Sequence, residues 1–217
     1  MTITYRATGA GAYVTTGTFT PGLPSGWQAG DIHILVINYY ASLSFTLTGW
    51  TKLADNVTPS NGSEHLTVVY RIAQIGDTAP AITGGTAKAT AIIVGYSGAG
   101  GMDQTGTPSV NNTSTTTDTS NGITTAVNNA MCLWIGICQG TQTFSGYSGS
   151  PTPTERADYA GSAGGGIAIA EFLITTSGTA TGNRTATISS SAYSIGMQIS
   201  LAPPVAGGKQ FQAIFID

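Results

Sequence analysis

The chain offers little raw material for an active site. Histidine occurs twice, at His33 and His65, each inside a strand-like run, so the base that a catalytic triad or dyad needs is scarce. The stretches Gly95-Tyr96-Ser97-Gly98-Ala99 and Gly146-Tyr147-Ser148-Gly149-Ser150 approach a nucleophile elbow. Both lack its closing glycine and neither leads into a helix, so they read as turns. Glu64, Glu155 and Glu171 are the only glutamates, and a hydrolase would have to pair Glu155 with Glu171, which their spacing does not recommend. Glu171, between Ile169 and Leu173 on an apolar strand face, instead asks for a buried cationic partner, Arg156 or Arg184.

Metal-ligand spacings of the C-x-x-C or H-x-x-x-H kind and calcium-loop patterns are missing, so no metal and no cofactor is expected. Calcium held by loop oxygens around Asp103 or Asp118 stays open. Cys132 and Cys138 share one apolar run. Six residues of extended chain, at roughly 3.3 Å each, set them about 20 Å apart, too far to bridge. They read as small buried apolar groups. Sugar rings stack on exposed aromatics, which makes Trp50, Tyr147 and Tyr159, with Trp27, the candidates for a glycan contact. Trp50 follows a glycine and opens a strand, a position that suits a lid on the core better than a platform.

The elements that must position these residues are strands. Charged residues make up 8% of the 217, against roughly 25% in average soluble domains, and the formal net charge is −3. Lys and Arg are scattered singly, so neither nucleic acid nor an anionic membrane is an expected partner. The first residues lack a secretory signal, and no apolar stretch reaches a membrane span of about 20 residues, so a soluble, cytoplasmically made chain is expected. Tyr193, Ile195, Met197, Ile199 and Leu201 alternate with polar residues, as do Leu66, Val68, Tyr70 and Ile72 with less apolar neighbours, which predicts strands with one buried face. Ile32 to Ile37, Ala91 to Val94 and Met131 to Ile137 are apolar on both faces and predict central strands. A second sheet covers one face, and an oligomer contact is expected to cover the other.

Further strands are predicted at Tyr13 to Phe19, Trp50 to Ala54, Ile167 to Thr175 and Arg184 to Ile188. Roughly ten or more strands fit an all-β, antiparallel, jelly-roll-like β-sandwich over residues 1–204. Gly98 to Asn121 is too polar for core and reads as a long loop or an exposed edge. Residues 205–217 form a separate extension: a Gly-Gly hinge followed by an apolar, strand-like segment. Its Phe211, Ile214, Phe215 and Ile216 are the candidate assembly contact. Neither heptads nor internal repeats are evident.

Leu23-Pro24-Ser25-Gly26-Trp27-Gln28-Ala29-Gly30-Asp31, Gly49-Trp50-Thr51-Lys52-Leu53 and Val69-Tyr70-Arg71-Ile72-Ala73 occur in an order that resembles a family of phage and prophage structural proteins. Thr154-Glu155-Arg156-Ala157-Asp158, Ile167-Ala168-Ile169-Ala170-Glu171, Gly182-Asn183-Arg184-Thr185-Ala186-Thr187 and Leu201-Ala202-Pro203 continue the resemblance through the second half. The resemblance implies a β-sandwich without known catalysis, found among tail, fibre and head-decoration proteins. The expectation is therefore a non-catalytic virion protein. Head decoration on the capsid is preferred, because no stalk is present, with a tail- or fibre-associated module binding a receptor or host glycan as the alternative. Its partners would be the major capsid protein or tail proteins, together with copies of itself, a trimer being favoured.

Overall fold

Apolar and polar residues alternate along most of the chain, and the computed structural model turns that alternation into strands. It describes residues 2–41, 45, 47–62, 64–83, 87–161 and 164–205. Among these residues every regular element is a β-strand. The first half carries β1 (Thr4–Thr8), β2 (Ala12–Val14), β3 (Thr18–Phe19), β4 (Ile32–Tyr39), β5 (Thr51–Val57), β6 (His65–Ile72), β7 (Ile82–Thr83) and β8 (Ala89–Ser97). The second half carries β9 (Gly101–Thr105), β10 (Ser109–Ser120), β11 (Ala130–Cys138), β12 (Phe144–Ser145), β13 (Thr154–Gly161), β14 (Gly165–Ile174) and β15 (Arg184–Ala202).

Two antiparallel sheets form, in the orders β1-β8-β4-β6-β5 and β10-β15-β11-β14-β13, with β2 added along β8 and β9 and β12 along β15. They pack as a sandwich. Ile32, Ile34, Val36, Leu66, Val68, Ile92 and Val94 of the first sheet share one core with Leu133, Ile135, Ile167, Ile169, Met197 and Ile199 of the second. Each such side chain contributes roughly 1.5–3 kcal/mol by leaving water. The sheets are tied together where Asn38 Nδ2 donates to the carbonyls of Cys138 (3.0 Å) and Gly166 (3.1 Å). Gly165 makes that approach possible, because a Cβ there would lie 2.4 Å from Asn38 Nδ2.

Each sheet comes from one half of the chain, and the two halves repeat the same strand plan. Val36 faces Val68 and Ile92 across its two ladders, and Ile135 faces Ile169 and Met197 in the same way. The edge strands agree down to their irregularities. In β5 the register shifts between Lys52 and Ala54, and in β13 it shifts between Glu155 and Ala157, at matching points of the partner strand. Tyr5 and Ala7 flank a shift against Tyr96 and Gly95, and Met102 and Gln104 flank one against Leu201 and Ser200. One hydrogen bond beyond each shift, Gly9 N to Ile93 O and Gly106 N to Gln198 O, has the same length of 2.8 Å. Ala12 then faces Ala91 as Ser109 faces Gly196. The chain is therefore an internal structural repeat, contrary to the sequence expectation of none. Jelly-roll connectivity, which passes strands back and forth between sheets, is not what this order gives.

The apolar second faces are covered by the chain itself. Phe19 and Ile82, from the small β3-β7 ladder, lie over Leu35, Ile37 and Ile93. On the opposite outside, Phe144, Ala186, Ile188 and Ala192 cover Trp134, Ala168 and Ala170. The basis on which an oligomer was expected, an uncovered second face, is thereby removed. Residues 98–121 carry the edge strands β9 and β10 rather than a loop, because β-branched Thr favours extended chain and a polar edge can face water while its backbone pairs with β15. The beginning, middle and end of the described chain also converge. A Cβ on Gly98 would sit 2.6 Å from Thr2 O, and Gly100 N donates to Ala202 O at 2.8 Å.

Candidate functional site

Trp50 and Arg71 build a surface feature with clefts beside it. A turn closed by Trp50 N donating to Leu47 O (3.1 Å), with Gly49 at φ 79°, delivers the indole to the start of β5. Arg71 lies on the neighbouring strand β6, on its outer side, and its guanidinium carbon sits 4.6 Å from the centre of the Trp50 ring. Its Nη1 is 3.4 Å from Asp77 Oδ1, and its Nη2 donates to the Thr78 carbonyl at 3.3 Å. Asp77 is fixed in turn by Gln74 N, which donates to its Oδ2 at 2.8 Å. The Arg71 side chain is only 10% exposed, and its buried Nε has no hydrogen-bond partner. Burial lowers the Arg71 pKa and Asp77 acts in the opposite sense.

Two clefts adjoin the indole. One, of about 370 Å³, is lined by Leu47, Thr48, Trp50, Arg71 and the 78–81 segment; the other, about 290 Å³, by Phe45, Leu47, Trp50, Lys52 and Val69. Trp50 thus packs against the outer cluster of the first sheet and also walls two openings.

The other candidate glycan contacts lie elsewhere. Tyr147 packs edge-on against Trp134 on the outside of the second sheet, at 5.2 Å between ring centres, and its hydroxyl donates to Glu155 Oε2 at 2.9 Å. Burial pushes its phenol pKa up. Tyr159 packs against the inter-sheet core, and the Gly11 backbone lies flat on its ring, where a Cβ would come within 2.7 Å. The three aromatics are not brought together. Phe211, Ile214, Phe215 and Ile216 lie outside the described residues.

The catalytic candidates are dispersed as well. Burial lowers His33 to about 4, so its imidazole is neutral at physiological pH; it meets Trp27 edge-on at 5.7 Å. His65 stacks on Tyr39 at 5.2 Å and is also lowered by burial. Ser97 donates to Thr4 O, and Ser148 bonds with Thr185, so neither faces a base. Glu155 and Glu171 sit on opposite faces of the second sheet and cannot flank one glycosidic bond. Glu171 accepts from Arg156 Nη2 at 2.5 Å, one of the two partners foreseen for it. Tyr5 lies against that guanidinium at 4.7 Å, and Thr8 Oγ1 donates to Arg156 O at 2.8 Å. These contacts join the edges of β1 and β13.

Asp103 and Asp118 stand in strands rather than loops. Asp118 is fully buried and accepts from Ser194 Oγ (2.7 Å) and Asn111 Nδ2 (3.1 Å); desolvation nevertheless raises it to about 8. No cluster of three metal-ligating side chains occurs among the described residues. Arg184, the other cation considered for Glu171, has a different role. It is completely buried, covers Phe172 at 3.5 Å, and donates to the carbonyls of Ser148, Ser150 and Pro151. No protein family, curated protein or solved structure matches this chain.

Proposed function

We propose that this chain is a non-catalytic structural protein of a bacteriophage particle, made in the host cytoplasm and seated on the capsid surface as a head-decoration protein. The observation that carries this reading is how the scarce charge is used. Arg6 pairs with Asp31, Lys52 with Asp55, Arg71 with Asp77 and Arg156 with Glu171, while Arg184 holds three carbonyls. Four of the seven basic residues therefore fasten strands and turns to one another, and Lys52 pairs within β5. Such a body suits a load-bearing surface part, and the order of segments from Leu23 to Pro203, which resembles that of phage structural proteins, is in keeping with the same reading. Contact with the particle is assigned to the apolar C-terminal segment containing Phe211, Ile214, Phe215 and Ile216. Purified protein mixed with capsids lacking it, with tails in parallel, should give regular added density on capsids by negative-stain imaging. Binding to tails alone, or to neither, would overturn it.

A second reading, a tail- or fibre-associated module that binds a host glycan, is favoured by the clefts beside Trp50. Binding on a glycan array that Trp50→Ala abolishes would support it, whereas an array without signal would count against it.

A further inference from the structure

We infer that the larger cleft beside Trp50 is a binding site for a carboxylate-bearing sugar, of the uronic acid type, within an acidic polysaccharide. The inference rests on the glycan-binding reading and names its ligand and the residue that selects it. A guanidinium has five N–H donors, and Arg71 places few of them well. Its hydrogen bond to the Thr78 carbonyl is 3.3 Å long and Asp77 stands at 3.4 Å, so Nη1 and Nη2 each keep an N–H to spare although the side chain is 90% buried. Buried donors left without acceptors are costly, and an acceptor supplied by a ligand relieves that cost. The planar fork matches the two oxygens of a carboxylate.

The rest of the cleft matches a sugar ring. Leu47, Trp50 and Pro80 offer apolar surface for C–H faces, Thr48 and Thr78 offer polar atoms for hydroxyls, and about 370 Å³ lies within the roughly 300–1,000 Å³ of small-ligand sites. Asp77 is tied up within the protein. Its Oδ2 is occupied by Gln74 N, and its Oδ1 steadies one end of the guanidinium, leaving the remaining donors for the sugar. The repeat in the second half has no such site. There the ladder position of Arg71 is taken by Phe172, which is covered by Arg184.

The test is titration of the intact protein with methyl glucuronoside and, separately, methyl glucoside, following the indole N–H signal of Trp50 assigned by its loss in Trp50→Ala. Glucuronoside should move that signal and bind at least tenfold more tightly than glucoside. Arg71→Gln should remove the preference, Arg71→Lys should restore part of it, and Thr187→Ala on the opposite outer face should change nothing. Thermal unfolding of each variant separates lost binding from lost folding. Equal affinity for the two sugars would overturn the acidic preference and leave the glycan-binding reading standing. No movement of the Trp50 signal with either sugar, at concentrations up to tens of millimolar, would sink both.

Discussion

The two halves of this molecule share a strand plan and differ in what they place on its outer faces. In the first half the outside of the sheet is apolar, with Ile37 and Ala91 opposite each other under the small β3-β7 ladder. The matching pair in the second half is Gly136 and Gly196, and the space they leave is filled by the Trp134 ring and the Asp118 carboxyl. Inside the sandwich, Leu53 and Tyr70 of the first half pack with the common core, while their counterparts Arg156 and Glu171 form an ion pair. The difference teaches which features the plan requires. Inner-face apolarity and the placement of bulges are kept in both halves, and the outer layers are free to be either oily or polar.

The sharpest way to break the comparison is to give the second half the first half's outer residues. Gly196→Ala puts a Cβ 2.6 Å from the Thr119 carbonyl, so it should cost on the order of 3 kcal/mol by chemical denaturation. Ala91→Gly, the reverse exchange in the first half, should cost about 1 kcal/mol. Next comes the ion pair. Arg156→Leu alone leaves the 9%-exposed Glu171 carboxylate without its partner and should lose about 2–3 kcal/mol. Arg156→Leu with Glu171→Tyr recreates the Leu53 and Tyr70 arrangement and should recover most of the loss, a coupling that a double-mutant cycle measures.

Asp118 gives a smaller effect at each pH step. Its folded pKa, about 8, is raised above the unfolded value of roughly 3.9, so the folded state holds the proton more tightly. Its contribution is fully present below pH 4 and is lost as pH rises toward 8, by at most about 1.4 kcal/mol per pH unit. Asp118→Asn should flatten that decline in a series of urea titrations, and an unchanged slope would show that another group is responsible. The smallest effect belongs to the side seams. Thr8→Val removes the bond to Arg156 O and should cost about 1 kcal/mol. Asn112→Ala removes the exposed bond from Ser60 N and should stay within about 0.5 kcal/mol.

Much of this architecture was legible in the alternation of residue types. The runs around Ile34, Val68, Ile135 and Ile199 announced a core between two sheets, and Glu171 on an apolar face announced a cation. The repeat was not legible, because its counterparts seldom share a side chain. Thr8-Gly9 with Thr105-Gly106, and Thr51, Ala54 and Asp55 with Thr154, Ala157 and Asp158, are the recognisable traces. What recurs is register and bulge position, which are properties of pairs of strands and leave only a faint mark on either strand alone. The Trp50 cleft was half legible. The ring stood out as an aromatic at a strand start, but its partner Arg71 lies on the next strand in the sheet, and only the ladder puts them together.

Because Thr2, Gly98 to Gly100 and Ala202 lie side by side, the order in which the two halves are encoded is structurally arbitrary. A gene rearranged to begin at Gly101, with a short linker from Val205 to Thr2 and a new end at Ser97, would keep every ladder while moving the outgoing segment to the other half. The corner where the chain enters, crosses and leaves is therefore also the natural place to splice cargo onto this protein without disturbing either outer face.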